Sequence, residues 1–331
     1  MLTPKENYFE LLRGGKPDRF VNQYEPFQFI LGDPLMAVTR GGRARGKDAK
    51  DGWGTLIRWK AEDHAGIPYI TDETKVCPDI TEWQTYVHAP KVELANDMDW
   101  SNVQARAAAV DRDSYMVTSL MATGLFEQSH FLMGFEDTLM NFLLVPESMH
   151  ELLDYILDYK MRYVDILTTH LHPDAILFHD DWGAKDRLFM SAETWREFFK
   201  ERYRKLFDFA KSRGVHVVLH ADSWCESIVE DMAEIGICTW QGVLPTNNIP
   251  KIQKELNGRM LLMGGIDAGA LDFADWDREA VNEEVARACR EYAPGGGYIP
   301  CITYGLPESI YPGLYEAITE EIAKQSALYF A

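Results

Sequence analysis

The chain has 331 residues, 46% of them hydrophobic and 26% charged, which is the make-up of a globular protein and excludes disordered, collagen-like and coiled-coil chains. With 33 basic residues against 52 acidic ones the net charge is −19, so phosphate backbones and anionic lipid surfaces are repelled, and neither nucleic acid nor membrane is expected as a partner. No apolar run approaches the roughly 20 residues of a membrane span, the first residues do not read as a secretory signal, and five cysteines without paired spacing suit free thiols, so the expected location is the cytoplasm.

Thr3-Pro4, Glu6 and the apolar positions Tyr8, Phe9, Leu11 and Leu12 predict one amphipathic helix that stops at Gly14-Gly15. The run Phe20 to Ile30 reads as a buried strand, with Pro26 interrupting its ladder near the end. Residues 31 to 110 are less regular. Thr39 to Lys50 carries Gly41, Gly42, Gly46 and five basic residues, which is loop chemistry, and DGWGTLIRW is a turn leading into a short strand. This region is expected to be an insertion or a mobile segment within a single domain over residues 1–331.

From Ser114 onward the pattern alternates. Tyr115 to Met121 is a strand, Glu127 to Leu144 a helix, and Pro146 to about Leu171 a second helix. Short apolar strands follow at Ala175 to Phe178, His216 to Leu219, Cys238 to Gln241, Met260 to Met263 and Tyr298 to Cys301, each separated from the next by a helical pattern. Ser191, Gly214, Asn257-Gly258 and the Asp275 to Asp277 stretch mark the helix ends. Such alternation implies a parallel sheet, closed as a (β/α)₈ barrel or left open and doubly wound. No Gly-x-Gly-x-x-Gly follows any strand, which removes the main dinucleotide signature of the open sheet and favours the barrel.

A barrel draws its reacting groups from the carboxyl ends of its strands, and here those ends are polar. They hold Tyr24, Glu25 and Gln28; Thr123; His179, Asp180 and Asp181; His220 and Asp222; Gln241; Asp267; and Cys301 and Tyr304. Imidazole, carboxylate and thiolate are the three protein ligand types of Zn²⁺, which makes His220, Asp222 and Cys301 metal candidates, with Glu25 or Asp180 able to complete the set. His179, Asp180 and Asp181 are candidate acids and bases; Tyr24, Phe27, Trp182, Gln241 and Tyr304 are candidate walls of a substrate pocket. Taken singly, each has a structural reading as well: a hydrogen-bonded core histidine, a capping aspartate, a buried thiol or a packed aromatic. Their agreement on one rim favours chemistry.

The segment TGLFEQSHFLMGFEDTLMNFLLVPESMHELLDYILDYK, then HDDWG with FMSAETWREFF, then HADSW, EDMAEIGI, LLMGGID and GGYIPC, resembles the uroporphyrinogen decarboxylase superfamily in a consistent order over roughly residues 115 to 325. The resemblance implies a (β/α)₈ barrel and either of two chemistries, cofactor-free decarboxylation or zinc- and corrinoid-dependent methyl transfer. Where the decarboxylases carry Arg-Gln-Ala-Gly-Arg-Tyr to bind porphyrinogen carboxylates, this chain has VNQYEPFQF, so the rim is expected to offer no cation to a poly-anionic substrate. The thiol methyltransferases bind zinc through His-x-Cys and a distant second cysteine. Here the pair is His220-Ala221-Asp222, with Cys301 79 positions after Asp222. A carboxylate in place of a thiolate donates less charge, leaves the ion a stronger Lewis acid, and suits it to an oxygen leaving group.

The resemblance therefore implies the methyltransferase component of an O-demethylase. Its expected substrate is a small, mostly uncharged methoxylated aromatic compound, and its acceptor the cobalamin-type corrinoid of a separate corrinoid-binding protein. A metal-free lyase or decarboxylase acting on a small carboxylated substrate is the alternative, and a barrel that binds without turnover is a third, non-enzymatic reading.

Overall fold

The computed structural model describes residues 1–62, 65–305 and 309–331. In chain order its strands are β1 (Phe27–Phe29), β2 (Lys47–Lys50), β3 (Leu56–Trp59), β4 (Ile67–Pro68), β5 (Met116–Met121), β6 (Ala175–His179), β7 (His216–His220), β8 (Thr239–Val243), β9 (Leu261–Ile266) and β10 (Tyr298–Ile302). Seven of them form one sheet in the order β1-β5-β6-β7-β8-β9-β10, every pair parallel. Ahead of β1, the Gln23 N–H donates to the Pro300 carbonyl at 3.1 Å, which ties this segment to β10 and brings the two edges of the curled sheet together. The fold is the (β/α)₈-type barrel, not the open doubly wound sheet. Every residue of β8, β9 and β10 is buried, as befits strands covered by helices outside and side chains within.

The seven expected strands are all present, with one shortened. Phe20 to Ile30 contributes only Phe27–Phe29, because turn bonds from Glu25 to Asn22 and from Phe27 to Tyr24 bend the chain, and Pro26 lacks an N–H. The helix Pro4–Leu12 opens with Thr3 and Glu6 in a reciprocal cap. The helix Pro146–Leu171 runs 26 residues with one buried face. Ser191 caps Ala192–Trp195, which continues through a π turn over Arg196–Lys200 into Glu201–Ser212. Asn257 ends Ile249–Leu256 in a left-handed conformation, and Asp277 caps Arg278–Tyr292. The expected single helix Glu127 to Leu144 is two, Leu125–Met133 and Phe135–Leu144. Gly134 separates them at φ 96°, a backbone setting that admits little but glycine.

Within residues 31 to 110, β2, β3 and β4 form a separate antiparallel sheet. Asp33 caps the short helix Pro34–Arg40, and the Asp51 carboxylate accepts from the Trp53 and Thr55 N–H groups to fix the turn. That turn delivers Trp53 onto Tyr159 of the long helix, with ring centroids 4.8 Å apart. Burying an aromatic side chain stabilises by roughly 1.5–3 kcal/mol, so this contact helps hold the segment over the end of β5.

Candidate active site

Register builds the centre of the rim. His179 at the end of β6 pairs with His220 at the end of β7, and His220 pairs with Gln241 on β8, so three side chains stand in a row across adjacent strands. The two imidazoles stack with centroids 4.5 Å apart. His179 bonds the Glu127 carboxylate through Nδ1 at 2.8 Å, and His220 bonds the Gln241 carbonyl oxygen through Nδ1. Both acceptors call for the N–H at Nδ1, so Nε2 is the nitrogen of each ring left for a further partner.

His179, Asp181 and His220 each offer a ligand atom, and these lie within 4.8 Å of one another. Asp222 sits beside them: its backbone N–H donates to Asp181 Oδ1 at 3.1 Å, and its carboxyl group faces that of Asp181. Two imidazoles with a carboxylate, each ring fixed by an outer acceptor, form a nitrogen and oxygen donor set that suits Zn²⁺.

The charges in this row act on one another. Burial disfavours a charged His179, but the carboxylates of Glu127, Asp181 and Asp180 overcome it and hold its pKa at about 10. Burial, then repulsion by His179, pushes His220 down to about 4. Burial raises Asp181 and Asp222 to about 6 each, and in Asp222 the neighbouring Asp181 adds to the rise. The rim thus holds two acid groups of raised pKa beside one cationic and one neutral imidazole.

The other expected site residues separate. Asp180, expected as a catalytic group or fourth ligand, is fully buried and caps the helix Leu125–Met133. Its carboxylate accepts from the Phe126 and Glu127 N–H groups at 3.1 and 2.8 Å, from Trp182 Nε1 at 2.8 Å and from the Tyr203 hydroxyl. Gly124 makes this approach possible, since a Cβ there would lie 2.1 Å from the Asp180 side chain. Trp182, expected as a pocket wall, is core packed on Trp195 and Tyr203.

Cys301 lies outside the cluster. It stands on β10, three strands from β7, with its buried thiol against the Gln241 side chain. Burial also pushes that thiol far above its ordinary pKa. Glu25 precedes β1 and is paired with Arg19 at 3.0 Å, so it does not reach the rim centre. Tyr24 and Phe27 line a groove against the C-terminal helix Leu314–Tyr329, together with Tyr315 and Thr319. Gln241 orients His220 rather than facing solvent, while half-buried Tyr304 meets Asp272, with Asp222 and Asp267 also acting on it.

Two features were not legible as site residues. Glu127 is one, because it reads as an ordinary first-turn acid of a helix; its signal is the Gly124-x-x-Glu127 start directly after a barrel strand. The other is a set of cations. Contrary to the expectation of a cation-free rim, Arg40 and Arg43 of the inserted segment share a cavity with Lys160, beside Met121 and Thr123 at the end of β5.

Known proteins give this arrangement its context. Residues 119–324 match the family model described as uroporphyrinogen decarboxylase (URO-D). The uroporphyrinogen decarboxylase of Magnetococcus marinus is 28% identical over 189 residues, which cover 54% of this chain and 49% of that one. That of Alkalilimnicola ehrlichii is 28% identical over 191 residues, covering 56% and 49%. The match therefore spans about half the length of these curated relatives. A methyltransferase from Methanosarcina mazei superposes over 100% of both chains with a TM-score of 0.64 at 16% identity, a likeness of fold. With more than half of its length matched by the family model, and with a parallel barrel carrying its polar groups at the strand ends, the chain belongs to the uroporphyrinogen decarboxylase family.

Proposed function

We propose that this protein is a zinc-assisted methyltransferase that takes the methyl group of a small methoxylated aromatic compound and passes it to the corrinoid of a separate protein. The observation that carries this reading is the His179, Asp181 and His220 cluster at the ends of β6 and β7, with each imidazole oriented by an outer acceptor. When bound there, zinc supplies Lewis acidity to an ether oxygen, lowering the basicity of the leaving alkoxide or phenolate. Glu127 and Gln241 fix the ring orientations and hold a proton on Nδ1, so that Nε2 is the nitrogen an ion would take on each ring, on His179 with release of its proton. Asp181 supplies the oxygen donor of the cluster, with Asp222 next to it and no thiolate among the three ligand groups, and such a set suits an oxygen leaving group.

A second reading has its own observation. The facing carboxyl groups of Asp181 and Asp222, both raised to about 6, form a pair able to keep a proton near neutral pH, as a metal-free decarboxylase or lyase would use. One experiment separates the two. The purified protein is assayed for metal, then mixed with a reduced corrinoid carrier and a panel of methyl ethers, amines, thiols and carboxylated compounds while methyl-cobalt formation is followed in the visible spectrum. Transfer from an ether that stops on chelation supports the proposal. Transfer only from an amine or thiol overturns the oxygen assignment, and carbon dioxide release without methyl transfer selects the second reading.

A further inference from the structure

The cavity over the end of β5 is built for an anion. It encloses about 60 Å³ between the inserted segment and the long helix Pro146–Leu171. A water needs roughly 10–15 Å³ on this measure, so there is room for a group of several heavy atoms. Two of its lining side chains carry buried donors without a partner among the described residues: Nε of Arg43 and Nε2 of Gln128. Gln128 is only 4% exposed, and its carbonyl oxygen is already engaged by the Thr123 hydroxyl at 2.9 Å, so its free amide hydrogens lack an acceptor. Buried donors of this kind ordinarily find one.

The charge count points the same way. Among the described residues Arg40, Arg43 and Lys160 line the cavity against one lining carboxylate, Asp51, which Arg43 meets at 3.4 Å through another nitrogen, while Asp180 and Glu127 act on Lys160 from outside the lining. Lys160 is itself buried and gives a hydrogen bond to the Thr123 carbonyl. Glu127 and Gln128 are consecutive on one helix, the first bonded to His179 and the second lining the cavity, so the cavity adjoins the rim centre. In a chain of net charge −19, an enclosed cluster of three cations with unpartnered donors is a site for a small oxyanion.

We infer that this cavity binds the carboxylate of a small organic acid through Arg43, Gln128 and Lys160, and that the substrate carries that group. The inference rests on the proposed function only in treating the rim as the reaction centre; it holds for a methoxylated aromatic acid and for the carboxylated substrate of the second reading alike. Guanidinium and amide edges match the planar acceptor geometry of a carboxylate, and two arginines with one lysine supply the charge.

Binding of acetate, benzoate and inorganic phosphate to the full chain is measured by titration calorimetry in the presence of a chelator, so that the metal plays no part. The carboxylates should bind, and Arg43→Gln and Gln128→Glu should each weaken them about tenfold or more. Arg43→Lys keeps the charge without the Nε–H and serves if Arg43→Gln does not fold. Phosphate binding tighter than both carboxylates would overturn the carboxylate assignment. No binding, or binding unchanged in the variants, would overturn the site. Because chelation abolishes the proposed methyl transfer but not this binding, failure of one leaves the other standing.

Discussion

His220 reaches the rim with a single nitrogen free, and so does His179, since Gln241 and Glu127 occupy the other two. This constraint makes a sharp prediction about metal content. His179→Ala and His220→Ala should each abolish stoichiometric zinc, measured by elemental analysis, whereas Cys301→Ser should retain it. The opposite outcome for His179 and Cys301 would restore the thiolate set that the resemblance implies. Glu127→Gln should keep the site but weaken zinc about 10–100-fold in a competition titration, the usual cost of losing an outer partner. The sequence made His179, Asp181, His220 and Asp222 legible because each follows an apolar strand, and barrel chemistry sits there. Spacing along the chain could not show that Gln241 would stand against Cys301, or that Asp180 would turn back to cap a helix. Those depend on neighbouring strands and on the missing Cβ of Gly124.

The helices around the barrel show the same division between period and punctuation. Hydrophobic periodicity marked the apolar face from Glu127 to Leu144 but could not register that Gly134 breaks it, because a glycine inside a helical pattern is readily tolerated. In the structure Gly134 has φ 96° and ψ 154°, and among the described residues only Ile70 comes near an added Cβ, at 3.7 Å. Space is therefore not the obstacle to a side chain; the backbone conformation is. Gly134→Ala should destabilise the fold by about 1–3 kcal/mol, read as a lower urea midpoint with an unchanged slope. A neutral result would mean that the two helices can rejoin as one. The inserted segment was hardest to read for a related reason. Its short strands bury few residues, while the residues that tie it to the core, among them Leu35, Trp53, Ile80, Trp83, Val92 and Trp100, are scattered over short helical turns and loops and leave no long periodic trace.

At the scale of the whole molecule, Lys160 links the long helix, the end of β5 and the charges behind the rim. It donates to the Thr123 carbonyl; Asp180 from β6 and Glu127 from the helix Leu125–Met133 act on it, and Arg40, Arg43 and Asp51 share its cavity. Burial lowers its pKa from 10.5 to about 8 against the pull of Asp180 and Glu127. The folded chain therefore binds fewer protons than the unfolded chain between pH 8 and 10.5, and the contribution of Lys160 to stability rises as pH climbs through that window. Below pH 8 its contribution is flat. Tyrosines, other lysines and the growing net negative charge also titrate above pH 8, so the informative quantity is the difference in unfolding free energy between wild type and Lys160→Met. That difference should stay constant from pH 6 to 8 and then move in favour of wild type, by about 1.4 kcal/mol per pH unit at most and a few kcal/mol in all. A bound carboxylate would hold the lysine charged and shift the onset upward, so the same series with benzoate added should begin its rise at higher pH. A difference that instead moves against wild type above pH 8 would show that the fold is stabilised by the charged lysine and that its neighbours, not burial, set its titration.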